Sequence, residues 1–66
     1  MKNTIKVERA KKNITQGELA EALKVSRQTI HAIETGKFVP STTLAIKIAK
    51  FFDTTVEEIF LIEEDD

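Results

Sequence analysis

The sequence predicts an all-α fold, a compact domain of five short helices. Three observations carry that prediction. Threonine stands three residues before glutamate at two candidate helix starts, Thr15 with Glu18 and Thr55 with Glu58, which is the capping-box spacing. Apolar residues recur at helical spacing behind these and other cap candidates. The chain has 66 residues and no cysteine, so packed helices or self-association must stabilise it in place of disulfides.

Asn3 or Thr4 caps a first helix over Thr4 to Lys12, and Asn13 ends it. Ile5 and Arg9 lie four residues apart and share one face. If Ile5 points inward, Arg9 is drawn inward with it, and its guanidinium then needs a partner. Glu34 is the best candidate for that ion pair; the other role open to Arg9 is a phosphate contact. Ile14 plugs the core ahead of Thr15.

The stretch from Gln16 to Gly36, QGELAEALKVSRQTIHAIETG, reads as two helices joined by a tight turn. Leu19, Ala20 and Leu23 form the inward face of the first. Ala20 is small, as a close helix crossing requires. The run breaks at Lys24 and Val25. Ser26 caps the second helix, residues 27–35, with Ile30 and Ile33 inward. Gly36 stands where a left-handed residue ends a helix.

Pro40 then holds Val39 extended, and Ser41 caps a fourth helix over Thr42 to Phe52. Phe38 is expected to plug the core or its rim. Leu44, Ala45, Ile48, Ala49 and Phe52 make an inward stripe. Ile46 and Phe51 widen it on opposite sides, beyond the ~100° arc that one core needs. Asp53 and Thr54 make a turn. A short helix from Val56 to Phe60 follows, and Val56, Ile59 and Phe60 close the core. Leu61 and Ile62 are then apolar surplus. With Ile46 and Phe51 they form a candidate homodimer surface, since a small monomer would otherwise expose a large apolar patch. The domain is expected to span residues 1–62, and Glu63 to Asp66 form a short acidic tail expected to fray.

Charge is divided along the chain. Residues 1–50 carry ten Lys/Arg against four Glu, a net of +6, and residues 51–66 carry seven acids and no base, a net of −7. Such a split fits a basic working face and an acidic rear. The longest apolar run, Ile59 to Ile62, is far too short to span a membrane, and no signal segment follows Met1. The cytoplasm is the expected location.

The outer face of the second motif helix carries Arg27, Gln28, His31, Ala32 and Thr35. Arginine can bond guanine O6 and N7, glutamine can bond adenine N6 and N7, and a methyl group can touch thymine. Arg27, Gln28, His31 and Ala32 are therefore the candidate base readers. Catalysis is not expected. A lone histidine and no cysteine leave little for a metal site, and two isolated glycines, Gly17 and Gly36, make no phosphate-cradling loop. No cofactor or small-molecule ligand is expected.

Gln16 to Ala20, Val25 to Ile30, Ile33-Glu34 and Gly36-Lys37 together resemble the Cro/repressor-type helix-turn-helix family, the Xre family. The likeness continues through Pro40-Ser41, Leu44-Ala45, Ile48-Ala49 and Val56 to Phe60, covering residues 4 to 60. It implies a lambda-repressor-like DNA-binding domain and a transcriptional regulator of double-stranded DNA, with repression as the expected mode; the homodimer expected above would place two such helices in successive major grooves and read a near-palindromic operator. It also implies the Arg9–Glu34 pair and phosphate contacts from Gln16 and Lys37. Ser26, although its cap role suffices to explain it, and Thr35 are added to the phosphate set. Two positions depart from the pattern. Lys24 stands where the family often has glycine, and Glu8 where it usually has an apolar residue. Two other readings remain open: a protein-binding module using its acidic rear, and an antitoxin whose tail neutralises a partner. DNA binding that weakens steeply with salt separates regulator from module.

Overall fold

A computed structural model describes all residues, 1–66. It contains the five helices and two short strands that the sequence pattern did not suggest. In chain order these are β1 (Lys2–Asn3), α1 (Ile5–Lys12), α2 (Gln16–Leu23), α3 (Arg27–Glu34), α4 (Thr42–Phe51), α5 (Val56–Ile59) and β2 (Phe60–Leu61). The two strands pair antiparallel, with Lys2 opposite Leu61 and Asn3 opposite Phe60. The Thr4 amide donates to the Ile59 carbonyl at 2.9 Å and extends this ribbon. Phe60 thus leaves the last helix and enters a strand.

Local chemistry sets the helix ends. Thr15 and Glu18 form a complete capping box at the start of α2. Ser26 and Ser41 accept the third amide of α3 and α4 in the same way. Thr55 accepts the Glu58 amide, but the return bond from Glu58 is missing, so only half of the second box forms. Three non-glycine residues adopt left-handed backbone: Asn13 after α1, Lys24 after α2 and Asp53 after α4. Asparagine and aspartate tolerate that conformation, whereas lysine incurs ~1 kcal/mol or more. Gly36, at φ 79°, takes it freely after α3.

The core is one cluster drawn from every helix. Ile5, Leu19, Ile30, Ile33, Ile48 and Ile59 are fully buried, and Ala20, Leu23, Ala49, Phe52 and Phe60 complete it. Each large side chain sealed from water contributes ~1.5–3 kcal/mol. Leu44, Ala45, Ile14 and Val56 pack against the cluster from its rim. Phe51 does so too, standing edge-on to Phe52 with ring centres 5.0 Å apart, while Lys12 lies 5.8 Å above its ring. Glu8 is half-buried and accepts from Lys11 at 3.2 Å, which lets it occupy a position usually apolar.

Two expectations need correction. Phe38 is not a core plug: it is 49% exposed and Val39 is 59% exposed. The Lys37 and Phe38 amides both turn back to the Ala32 carbonyl, and Pro40 takes the buried position. The acidic end is also tied down. Glu63 and Asp66 bond each other's backbone, and their carboxylates lie 3.5 and 3.3 Å from the α-amino group of Met1. The hydrogen bond to Asp66 raises the pKa of that amino group above its ordinary value.

Candidate nucleic-acid interface

The motif is α2, the turn at Lys24 and Val25, and α3. In the turn, the Val25 amide donates to the Ala20 carbonyl at 3.0 Å, closing α2 over its left-handed Lys24. Ser26 then points the first turn of α3 outward. Its Oγ takes the Thr29 amide at 3.0 Å and lies 2.9 Å from the Thr29 hydroxyl.

Alternation around α3 separates two faces. Ile30 and Ile33 have essentially no exposed surface, so the helix cannot rotate without unpacking the core. That leaves Arg27, Gln28, His31 and Thr35 exposed and Ala32 half-buried. Arg27, Gln28 and His31 together line one hollow on the surface. Neither Arg27 nor Gln28 forms a side-chain hydrogen bond within the chain, so their donors are free for a ligand. Thr35 donates its hydroxyl to the Ala32 carbonyl at 3.2 Å. Lys37 is exposed just beyond the helix.

A second hollow lies beside the first. Arg9, Asn13, Ile14, Thr15, Gln16, Gly17 and Arg27 border it. Arg27 belongs to both, and a Cβ on Gly17 would stand 3.8 Å from its Cδ. The first amides of α2 open on this side, and the opening end of a helix favours an anion. Gln16 has more work here than its position in the sequence suggested. Its Nε2 lies 3.2 Å from Glu34 Oε1 and 3.4 Å from His31 Nδ1. It therefore links the start of α2 to the outer face of α3.

Glu34 is the anchor of this arrangement. Arg9 Nε donates to Glu34 Oε2 at 2.7 Å and Arg9 Nη2 to Oε1 at 3.1 Å, a bidentate pair. Arg9 Nη1 also donates to the Ile14 carbonyl at 3.0 Å. Hydrogen bonding to Glu34 raises the Arg9 pKa still further above neutrality. With its carboxylate also accepting from Gln16, Glu34 joins α1, α2 and α3 at one point.

One contact escaped sequence reasoning altogether. Asn3 Nδ2 donates to the Ile33 carbonyl at 2.8 Å, while its Oδ1 accepts the Ile5 amide at 3.2 Å. The sequence marked Asn3 as a possible cap for α1. Nothing in it signalled a partner thirty residues away.

A helix-turn-helix family model matches residues 5–59, the whole span from α1 to α5. The chain belongs to the Xre-type helix-turn-helix family. An uncharacterized helix-turn-helix-type transcriptional regulator of Methanocaldococcus jannaschii is 58% identical over 66 residues and covers both chains fully. The helix-turn-helix-type regulator YgzD of Bacillus subtilis is 46% identical over 65 residues, 98% of each chain. The helix-turn-helix-type transcriptional activator BcrR of Enterococcus faecalis is 45% identical over 56 residues, 85% of this chain and 28% of its own length. The chain is a transcriptional regulator built on a helix-turn-helix DNA-binding domain. No helix is long and apolar enough to cross a membrane.

Proposed function

We propose that this helix-turn-helix regulator binds a near-palindromic operator as a homodimer, with α3 of each copy in the major groove, and represses by occupying that DNA. The observation that carries this reading is the outer face of α3. Ile30 and Ile33 lock the helix from behind, and Arg27 and Gln28 stand exposed with no partner of their own. They sit in the first turn, the part of a recognition helix that meets base edges. Arg27 and Gln28 supply hydrogen-bond readout, and His31 and Ala32 flank them. The amides of Gln16 and Gly17, with Ser26, Thr35 and Lys37, hold the phosphates on either side. The Gln16 side chain reaches a phosphate only by giving up Glu34 or His31.

A second copy follows from size and from apolar surface. The domain's longest dimension is 31 Å. Successive major grooves on one face of DNA lie ~34 Å apart, so one domain presents one recognition helix to one groove. Ile46, Leu61 and Ile62 are 43%, 46% and 82% exposed, apolar surface that a second copy would cover. Phe51, partly buried against Phe52 and Lys12, adds less. Two domains placed through these residues cover about two turns of DNA and exclude other proteins from it.

Selecting bound duplexes from random DNA tests the reading directly. The expected product is two inverted half-sites with centres about one helical turn apart. Sedimentation at micromolar concentration should give twice 7.5 kDa, reduced to a monomer by Leu61→Glu. Recovery of no preferred sequence, or a monomer on DNA, defeats the proposal. In a purified transcription assay with the operator over the promoter, the transcript should fall; a rise would reverse the assigned sign.

A further inference from the structure

We infer that Asn3 is a positioning residue that fixes the recognition helix to the C-terminal strand and so sets the separation of two recognition helices in the dimer. The inference rests on the homodimer proposed above. Asn3 occupies a junction of three elements. Its backbone lies in β1, opposite Phe60 of β2. Its Oδ1 accepts the Ile5 amide at the start of α1, at 3.2 Å. Its Nδ2 donates to the carbonyl of Ile33 in the last turn of α3, at 2.8 Å.

That carbonyl already accepts the Gly36 amide at 3.0 Å, so Asn3 is not needed to satisfy it. Its bond is a tether. The strand it tethers to carries Leu61, next to Phe60 in the ribbon, and leads to Ile62. These are the exposed apolar residues assigned to the partner. From partner contact to recognition helix the path is short: Leu61, Phe60, Asn3, Ile33. The Arg9–Glu34 pair ties the same end of α3 to α1, and its other hydrogen bonds go to Ile14 and Gln16 rather than to the strand. Asn3 therefore supplies the side-chain hydrogen bond between the dimer-facing ribbon and α3, beside the apolar packing of Phe60 in the shared core. It acts on base reading through α3 and touches no DNA itself.

The test compares Asn3→Asp and Asn3→Ser with the unaltered protein. Both retain an oxygen for the Ile5 amide and lose the donor to Ile33. Each is measured on the selected operator and on versions with one base pair added or removed between half-sites, a change of ~3.4 Å and about a tenth of a turn. The unaltered dimer should discriminate sharply among the three. The variants should remain folded by circular dichroism and dimeric by sedimentation, lose ~5-fold or more on the native spacing, as when one base contact weakens, and discriminate less among spacings. If Asn3→Asp fails to fold, Asn3→Ser carries the comparison. A folded, dimeric variant with unchanged spacing preference overturns the inference alone. Equal loss on all three spacings also overturns it, because that is the mark of lowered stability. An unaltered protein that is monomeric on DNA defeats the homodimer, and this inference with it.

Discussion

Replacing Glu34 with alanine removes the acceptor that α1, α2 and α3 share. Arg9 would keep one bond, to the Ile14 carbonyl, and lose two. The Arg9 side chain is 15% exposed and Glu34 only 6%, so water cannot fully replace the carboxylate. Stranding one partner of a buried pair costs ~3–5 kcal/mol, and the residual exposure of Arg9 places the expected loss near the lower end, ~3 kcal/mol. At ~0.05–0.15 kcal/mol per residue, a 66-residue domain has ~3–10 kcal/mol in all. Glu34→Ala should therefore lower the melting temperature by ~12 °C or more, or unfold the domain at room temperature. Urea denaturation followed by circular dichroism measures it. Replacing both partners, Arg9→Met with Glu34→Met, should recover much of the loss, because no charge is then stranded. A Glu34→Ala variant within ~1 kcal/mol of the parent would show that solvent compensates Arg9, and the reasoning would fail.

Arg27→Ala and Gln28→Ala should each cost ~1–3 kcal/mol on the selected operator and relax preference at particular bases, read by competition with single-base variants. Unchanged preference in both variants would remove them from the reading face. Lys37→Ala should weaken all duplexes alike and reduce the salt slope by about one, measured by titrating binding against salt; a sequence-dependent effect would contradict its phosphate role. Lys24→Gly should raise stability by up to ~1 kcal/mol, since φ 60° strains a lysine and not a glycine. A lower melting temperature would mean that the Lys24 stem contributes packing that outweighs the strain.

The helices were legible because their signals are local. A cap residue and an inward stripe lie within one or two turns of each other, so Thr15, Ser26 and Ser41 could be assigned without knowing what packs where. The outer face of α3 followed from the same periodicity, since Ile30 and Ile33 leave only one side free. The meeting of Arg9 with Glu34 was approached from Ile5, four residues earlier, and from the family resemblance, which implies the same pair. Phe38 misled because an aromatic residue beside a turn was expected to turn inward, whereas the chain places Pro40 there instead. The half-formed box at Thr55 shows the reverse limit, a correct spacing whose second bond geometry did not supply.

The sequence by itself determined the family, the helix order, the motif at residues 16–36 and the division of charge. These depend on residue type and spacing over a few turns. Only the tertiary structure decided that residues 2–3 pair with 60–61, that Asn3 reaches Ile33, that Gln16 joins Glu34 and His31, and that the acidic end folds onto Met1. The physical reason is separation. Two-residue strands carry no readable period, and a single side-chain amide satisfied across thirty residues leaves no mark on its neighbours. Such contacts exist only after the isoleucine core has brought the ends of the chain to the end of the recognition helix.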